Sequence, residues 1–345
     1  MTNPAPRLVL LAWLLVPGML CASLVAGQAQ EQPAQERTMK AIRVHEFGGP
    51  EVLKLEEGVP VPTPGEGEML VRVHAAGVNP VDASIRRGAF GRRALPFTPG
   101  FDVSGVVESV GEGVTKFKAG DAIFACQNLA RGGSYAQFTI VREDEAAPKP
   151  EALSHIDAAG VPLVALTAWQ ALFDKGSLEE GQTILIHGGS GGVGTYAVQL
   201  AKWKGARVIA TASARNHEYL KELGADEVID YNTENFWEKV KDVDVVLDSI
   251  GGQTQERSFG VLKRGGRLVS ILQPPNQERA REHGVTAVVF LMERNAEQLA
   301  EIGRLLEAGT LKAVTTHQFP LAEASKAHEQ IETRHTRGKI VLVVE

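Results

Sequence analysis

The sequence predicts an α/β protein: a partly open β-barrel domain joined to a doubly wound parallel sheet. Three observations carry this. Residues 188–194 read Gly-Gly-Ser-Gly-Gly-Val-Gly, directly after the apolar run Thr183–His187. From about Val164 onward, strand-like and helix-like runs alternate, which implies parallel strands with helices on both faces. Before that point, short β-like runs are separated by Gly and Pro turns, as in a small barrel.

The glycine run contains G-x-G-x-x-G as Gly189, Gly191 and Gly194. The first glycine permits a tight turn, the second lets the backbone approach a pyrophosphate, and the third lets the helix pack close to the strand. Val193, Ala197, Leu200 and Ala201 fall at helical spacing and predict one apolar face. Gly205 sits where a left-handed cap should end that helix. Arg207–Ala212 reads as the next strand. Strand–loop–helix–strand in this order makes Gly189, Ser190, Gly191, Gly192, Val193 and Gly194 a candidate dinucleotide cradle. The other reading is a purely structural glycine turn.

The residues after Ala212 bear on which dinucleotide. An NAD site places Asp or Glu there for the ribose 2′-hydroxyl. This chain has Ser213, Ala214, Arg215 and Asn216. Ser and Arg hydrogen-bond a 2′-phosphate that a carboxylate would repel, so NADP(H) is expected. Alternatively, Arg215 is a solvated side chain and Asn216 caps the following helix.

Further strands are expected at 227–230, 243–247, 267–272 and 285–290. A helix is expected over Asn216–Leu223, closed by Gly224, and another over Ala296–Ala308, with Leu299, Ile302, Leu305 and Leu306 on one face. In the first half, Leu70–His74, Val103–Val110 and Ser134–Val141 read as strands. The terminal run Lys339–Val344 should return to the first domain. The expected organisation is a leader over 1–29, a linker over 30–38, a first domain over 39–163 with 314–345, and a cofactor domain over 164–313.

The chain has 345 residues and a net charge of −6, which leaves no basic footprint for nucleic acid. Its two cysteines, Cys21 and Cys126, support neither a zinc cluster nor a disulfide framework, so no metal site is expected. Near the N-terminus, Arg7 precedes an apolar run, and no charge follows until Glu31. This fits a secretory signal ending near Ala26–Ala29, or a membrane anchor interrupted by Pro17-Gly18. Either implies an exported or anchored protein with membrane contact through the leader alone. Met39-Lys40-Ala41-Ile42 also looks like the start of a cytoplasmic enzyme.

With these elements in place, the chain resembles the medium-chain dehydrogenase/reductase superfamily over residues 39–345. It is most similar to the zinc-independent quinone oxidoreductase branch, which includes the enone reductases. The matching segments are Met39–Leu55, Ala75–Asp82, Pro99–Gly105, Leu166–Trp169, the glycine loop and Arg337–Leu342. The resemblance implies a GroES-like catalytic domain and a Rossmann cofactor domain. The superfamily's zinc alcohol dehydrogenases carry a ligand cysteine near Val78-Asn79 and Gly-His-Glu in place of Gly100-Phe101-Asp102. Without those ligands the chain lacks the Lewis acid that stabilises an alkoxide. Reduction of a quinone or an α,β-unsaturated carbonyl by NADPH is therefore expected. Alternatives are a zinc-independent enzyme acting on another carbonyl, and an NADPH-binding protein with little turnover.

By the same resemblance, Asn79 lies beside the nicotinamide and substrate, although it also reads as a turn residue before Pro80. Thr167 is similar to a threonine near the nicotinamide ribose, or is simply a helix residue. Tyr135 is a candidate proton donor, with strand packing as the alternative. Asp82 and Asp102 would orient neighbours or stabilise loops. Tyr231 and Arg334 resemble residues near the adenosine phosphate. Ser249 and Leu272 follow strands whose carboxyl ends should face the ligand. His187 reads as structural. The expected partners are a small quinone or enone and a second copy of the chain.

Overall fold

The computed structural model describes residues 1–2, 37–89 and 93–344. The leader apart from Met1 and Thr2, and the linker before Arg37, lie outside the described residues.

Among the described residues, fifteen strands fall into three sheets. β1 (Thr38–Arg43) and β2 (Lys54–Pro60) pair with each other. β3 (Glu68–Val78), β4 (Asp102–Val110), β5 (Ala122–Cys126), β6 (Phe138–Arg142) and β7 (Ala146–Pro148) build most of a seven-stranded sheet. β8 (Thr183–Ile186), β9 (Arg207–Ala212), β10 (Glu227–Asp230), β11 (Val243–Asp248), β12 (Leu262–Ser270) and β13 (Thr286–Val289) form a six-stranded sheet. β14 (Thr315–Pro320) and β15 (Lys339–Val343) complete the seven-stranded sheet, where β15 lies against β3.

The six-stranded sheet is parallel, in the order β10-β9-β8-β11-β12-β13. The chain leaves β8 in one direction along the sheet and returns on its other side at β11. Ligands bind outside the strand carboxyl ends at such a switch point. Leu185, Val246 and Leu268 are fully buried, as parallel strands covered on both faces require.

Two expectations are revised by packing. The helix Gly192–Trp203 is buried from Gly194 to Ala201 all the way round, rather than along one stripe. Its outer side is covered: a Cβ on Gly192 would lie 3.0 Å from Val164, and Gln199 hydrogen-bonds the Lys312 carbonyl. The strand expected over Ser134–Val141 begins only at Phe138. Ahead of it the Tyr135 N–H bonds the Pro99 carbonyl and the Tyr135 carbonyl accepts from Ile42, so this stretch joins separate segments instead of one ladder. Gly205 and Gly224 both adopt positive φ, 84° and 107°, just past the helices they close.

Candidate functional site

The glycine loop occupies the switch point. Gly188 follows β8 at φ 67°, and its N–H meets the Thr211 hydroxyl at the end of β9. A Cβ on Gly189 would lie 2.9 Å from Ala210, and one on Gly194 would lie 2.3 Å from the Gly188 carbonyl oxygen. These two glycines are therefore fixed by contact between the turn, the neighbouring strand and the helix. Gly191 differs, because a Cβ there would meet only the Gly188 oxygen, at 3.4 Å. That backbone is open on its outer side. Gly191 is the N-cap of a 12-residue helix, so the N–H groups of Gly192, Val193 and Gly194 lack intrahelical acceptors. Bare backbone donors at a helix N-terminus fit a pyrophosphate.

The loop is braced from three sides. Asn216 donates to the Ser190 hydroxyl at 3.1 Å and to the Ser213 hydroxyl at 3.2 Å. Although Asn216 precedes the helix His217–Glu222, its side chain does not cap it. Ser249, after β11, donates to the His187 carbonyl at 2.8 Å. Gly338 donates its N–H to the Ser190 carbonyl at 2.9 Å. His187 is buried, with its ring nitrogens against Thr211 and Ser258, and burial pushes its pKa down to about 4. It is a structural residue. Asp248 acts similarly: its carboxylate accepts from Ile250, Gly251, Gln255 and Ser270, shaping the loops that follow β11 and β12.

Beyond β9 a cavity of about 560 Å³ is lined by Arg215, Asn216, His317, Thr333, His335 and Arg337. Arg215 donates to the His335 carbonyl, and the Arg337 guanidinium lies 4.9 Å from the Tyr219 ring centre. Beside Arg215 the lining includes Arg337, whereas Arg334 is absent from it and sits at φ 59° in the turn after the helix Ala324–Glu332. Arg337 had a signal, since it begins one of the matched segments. Tyr231 and Leu272 are both more than half exposed. A second pocket, beside Trp169 and Trp203, lies at the far end of the glycine-loop helix.

The second half of the site is a buried polar cluster. Asn79 is the N-cap of the helix Pro80–Arg86 and is fully buried. Its backbone N–H donates to Asp82 at 2.7 Å, the reverse arm of a capping box. Its side-chain amide instead donates to Asp102 at 2.9 Å and accepts from Lys339. Asp102 also accepts the Leu163 N–H at 2.8 Å and lies 3.4 Å from the Lys339 ammonium. Leu163 is in the first turn of the helix Pro162–Trp169, where a carboxylate is favoured. Thr167, on that helix, is buried and donates back to the Leu163 carbonyl at 2.6 Å. The cluster therefore joins β3, β4, β15 and the Thr167 helix.

Tyr135 is hydrogen-bonded within the protein. It is fully buried, and its hydroxyl lies between Asp82 at 3.1 Å and His328 at 3.2 Å. Burial holds its pKa well above the usual phenol value. His328 in turn meets Arg86, which pairs with Glu332. Burial raises the Asp82 carboxyl to about 7. Sequence reasoning missed Lys339, which is 260 positions from Asn79, and His328, which is 242 positions from Arg86.

The alcohol dehydrogenase GroES-like domain family matches residues 65–151, and the zinc-binding dehydrogenase family matches residues 223–342. The chain is 37% identical over 330 residues to the mouse quinone oxidoreductase, covering 90% of this chain and 99% of that one. The chain belongs to the medium-chain dehydrogenase/reductase superfamily, in its quinone oxidoreductase branch. A chloroplastic NADPH-dependent alkenal/one oxidoreductase of Arabidopsis thaliana is 36% identical over 321 residues, 89% of this chain and 80% of that protein. The crystal structure of Escherichia coli quinone oxidoreductase complexed with NADPH superposes with a TM-score of 0.81 at 33% identity, covering 88% of this chain and 99% of that one. This member of the branch is an oxidoreductase with a pyridine-nucleotide fold. Among its described residues, no three His, Cys, Asp or Glu side chains gather as a metal would require.

Proposed function

We propose that this enzyme transfers hydride from NADPH to a quinone or an α,β-unsaturated carbonyl and needs no zinc. The observation that carries this is the open glycine backbone at the switch point, continuous in sequence order with a basic cavity after β9. Gly191 leaves room for the pyrophosphate, and the helix behind it supplies donors. Arg215 and Arg337 offer two guanidinium groups, and no carboxylate lines the cavity to oppose a 2′-phosphate. NADPH-bound and NADPH-dependent relatives support the same choice.

When bound, the nicotinamide supplies the hydride. The chain's own residues bind, orient and shield. The Asn79 amide nitrogen carries a second hydrogen for which the described residues provide no acceptor. That N–H is the donor for the acceptor oxygen, which gains negative charge during reduction. Thr167 keeps its oxygen lone pairs for the ribose or substrate while its proton is held by the Leu163 carbonyl. Asp102, where zinc enzymes carry a metal-ligating segment, is committed to Asn79, Leu163 and Lys339. Tyr135 holds Asp82 and His328 in place through its hydroxyl.

Steady-state NADPH oxidation with a quinone panel and an enone panel, each with and without a zinc chelator, tests this. Chelator-insensitive turnover of either class is expected. Tight NADPH binding without turnover of either would leave only a binding protein.

A further inference from the structure

The buried ammonium of Lys339 has no counterpart in the sequence-based site. Its Nζ donates to the Asn79 side-chain carbonyl and to the Val78 carbonyl at 3.1 Å, and it lies 3.4 Å from Asp102. Lys339 is 3% exposed. A buried ammonium is costly unless charge and hydrogen bonds compensate it, and here one carboxylate and two carbonyl oxygens do so.

This arrangement sets the polarity of the Asn79 amide. An asparagine amide has an acceptor end and a donor end of nearly the same shape. With Lys339 on one side and Asp102 on the other, only one orientation satisfies both. The flipped amide would turn N–H groups toward an ammonium and an oxygen toward a carboxylate. Lys339 also follows Gly338, whose N–H binds the Ser190 carbonyl of the glycine loop. Gly338 sits at φ 63°, and a Cβ there would lie 2.2 Å from the Val314 oxygen. The backbone that braces the dinucleotide loop is therefore adjacent in sequence to the side chain that orients the amide.

We propose that Lys339 is a positioning residue for the reduction: with Asp102 it fixes the Asn79 amide so that its second N–H is presented to the acceptor. This rests on the reading that Asn79 faces the reacting acceptor. The Lys339 stem lies beside Gly192 of the loop, where an added Cβ would be 3.1 Å from its Cδ, while the ammonium is bound to Asn79 and Val78. Lys339→Met keeps an apolar stem against Gly192 and removes only the charge, so cofactor affinity and turnover should separate.

The test measures kcat, KM and NADPH affinity for Lys339→Met, Asn79→Ala and the double variant. Lys339→Met should lower kcat by about 10²-fold, the scale of a misplaced reacting group. NADPH affinity should stay within about threefold, and in the Asn79→Ala background the further loss of kcat should also be under about threefold. If Lys339→Met leaves Asp102 uncompensated and the protein does not fold, Lys339→Met with Asp102→Asn removes both charges and should show the same selective loss of kcat. Wild-type turnover with an unchanged kcat in Lys339→Met would overturn the inference, as would losses that multiply fully with Asn79→Ala. Absence of wild-type turnover with quinones and enones would instead overturn the reading beneath it.

Discussion

The glycine loop and the Asn79 cluster, the two halves of the proposed site, are built by opposite means. In the loop, side chains are absent where the strand, turn and helix must touch and where a phosphate must approach. Around Asn79, charged and polar side chains from four segments are packed out of water and compensate one another. At Gly189 and Gly194 the loop has no room for an added Cβ. The cluster tolerates no missing partner. The first should therefore fail by steric exclusion, and the second by uncompensated charge.

Gly194→Ala should have the largest effect. Its Cβ would lie 2.3 Å from the Gly188 oxygen and 2.7 Å from the Gly189 Cα, both backbone atoms. The loop must move, and NADPH affinity should fall by about 10²-fold or more, on the scale of a lost multi-donor phosphate site. Isothermal titration checks this. An unchanged affinity would mean that the loop is not the cradle.

A pH effect distinguishes the cluster. Burial, reinforced by Asp102, raises Asp82 from an ordinary 3.8 to about 7, against the Asn79 N–H, Lys339 and Tyr135. The folded protein then holds this proton more tightly than the unfolded chain. That contribution to stability is complete below the unfolded value and is lost as pH rises through about 7. Asp82→Asn keeps an acceptor for Asn79 and cannot ionise, so its melting temperature should fall less than wild type between pH 6 and about 8. Parallel curves would remove Asp82 as the source. Histidines give the opposite limb. Burial lowers His187 to about 4 and His328 to about 3, so their contribution is lost as pH falls through the ordinary 6.5.

Tyr135→Phe should have the smallest effect. It removes one buried hydroxyl between Asp82 and His328, with a cost of about 1–2 kcal/mol in denaturant unfolding. A loss of kcat much larger than this stability change would restore Tyr135 as a proton donor.

The same contrast explains what could be read from the sequence. The loop was legible because its constraints are local: glycine spacing, a preceding apolar run and a following helix all lie within about one βαβ unit. The parallel strands were legible for the same reason, with ends shifted by a few residues. The Asn79 cluster was only half legible. Asn79, Asp82, Asp102 and Thr167 follow from the family resemblance. Lys339 also lies in a matched segment but reads there only as a terminal-strand residue, and no local pattern marks His328 on the helix Ala324–Glu332. Lys339 reaches Asn79 when β15 inserts between β14 and β3, and His328 reaches Arg86 and Tyr135 from the helix between β14 and β15 in sequence. The turn after the helix Ala324–Glu332, and not residue spacing, decides that Arg337 lines the cavity and Arg334 does not.

The basic cavity beside the loop carries the claim that this enzyme uses NADPH. The direct measurement is a paired titration of NADPH and NADH against wild type and Arg215→Glu. Wild type should bind NADPH at least about tenfold more tightly, the worth of charge-assisted bonds to one phosphate, and Arg215→Glu should abolish that preference while sparing NADH. Tighter binding of NADH by wild type, or an unchanged preference in Arg215→Glu, would contradict it.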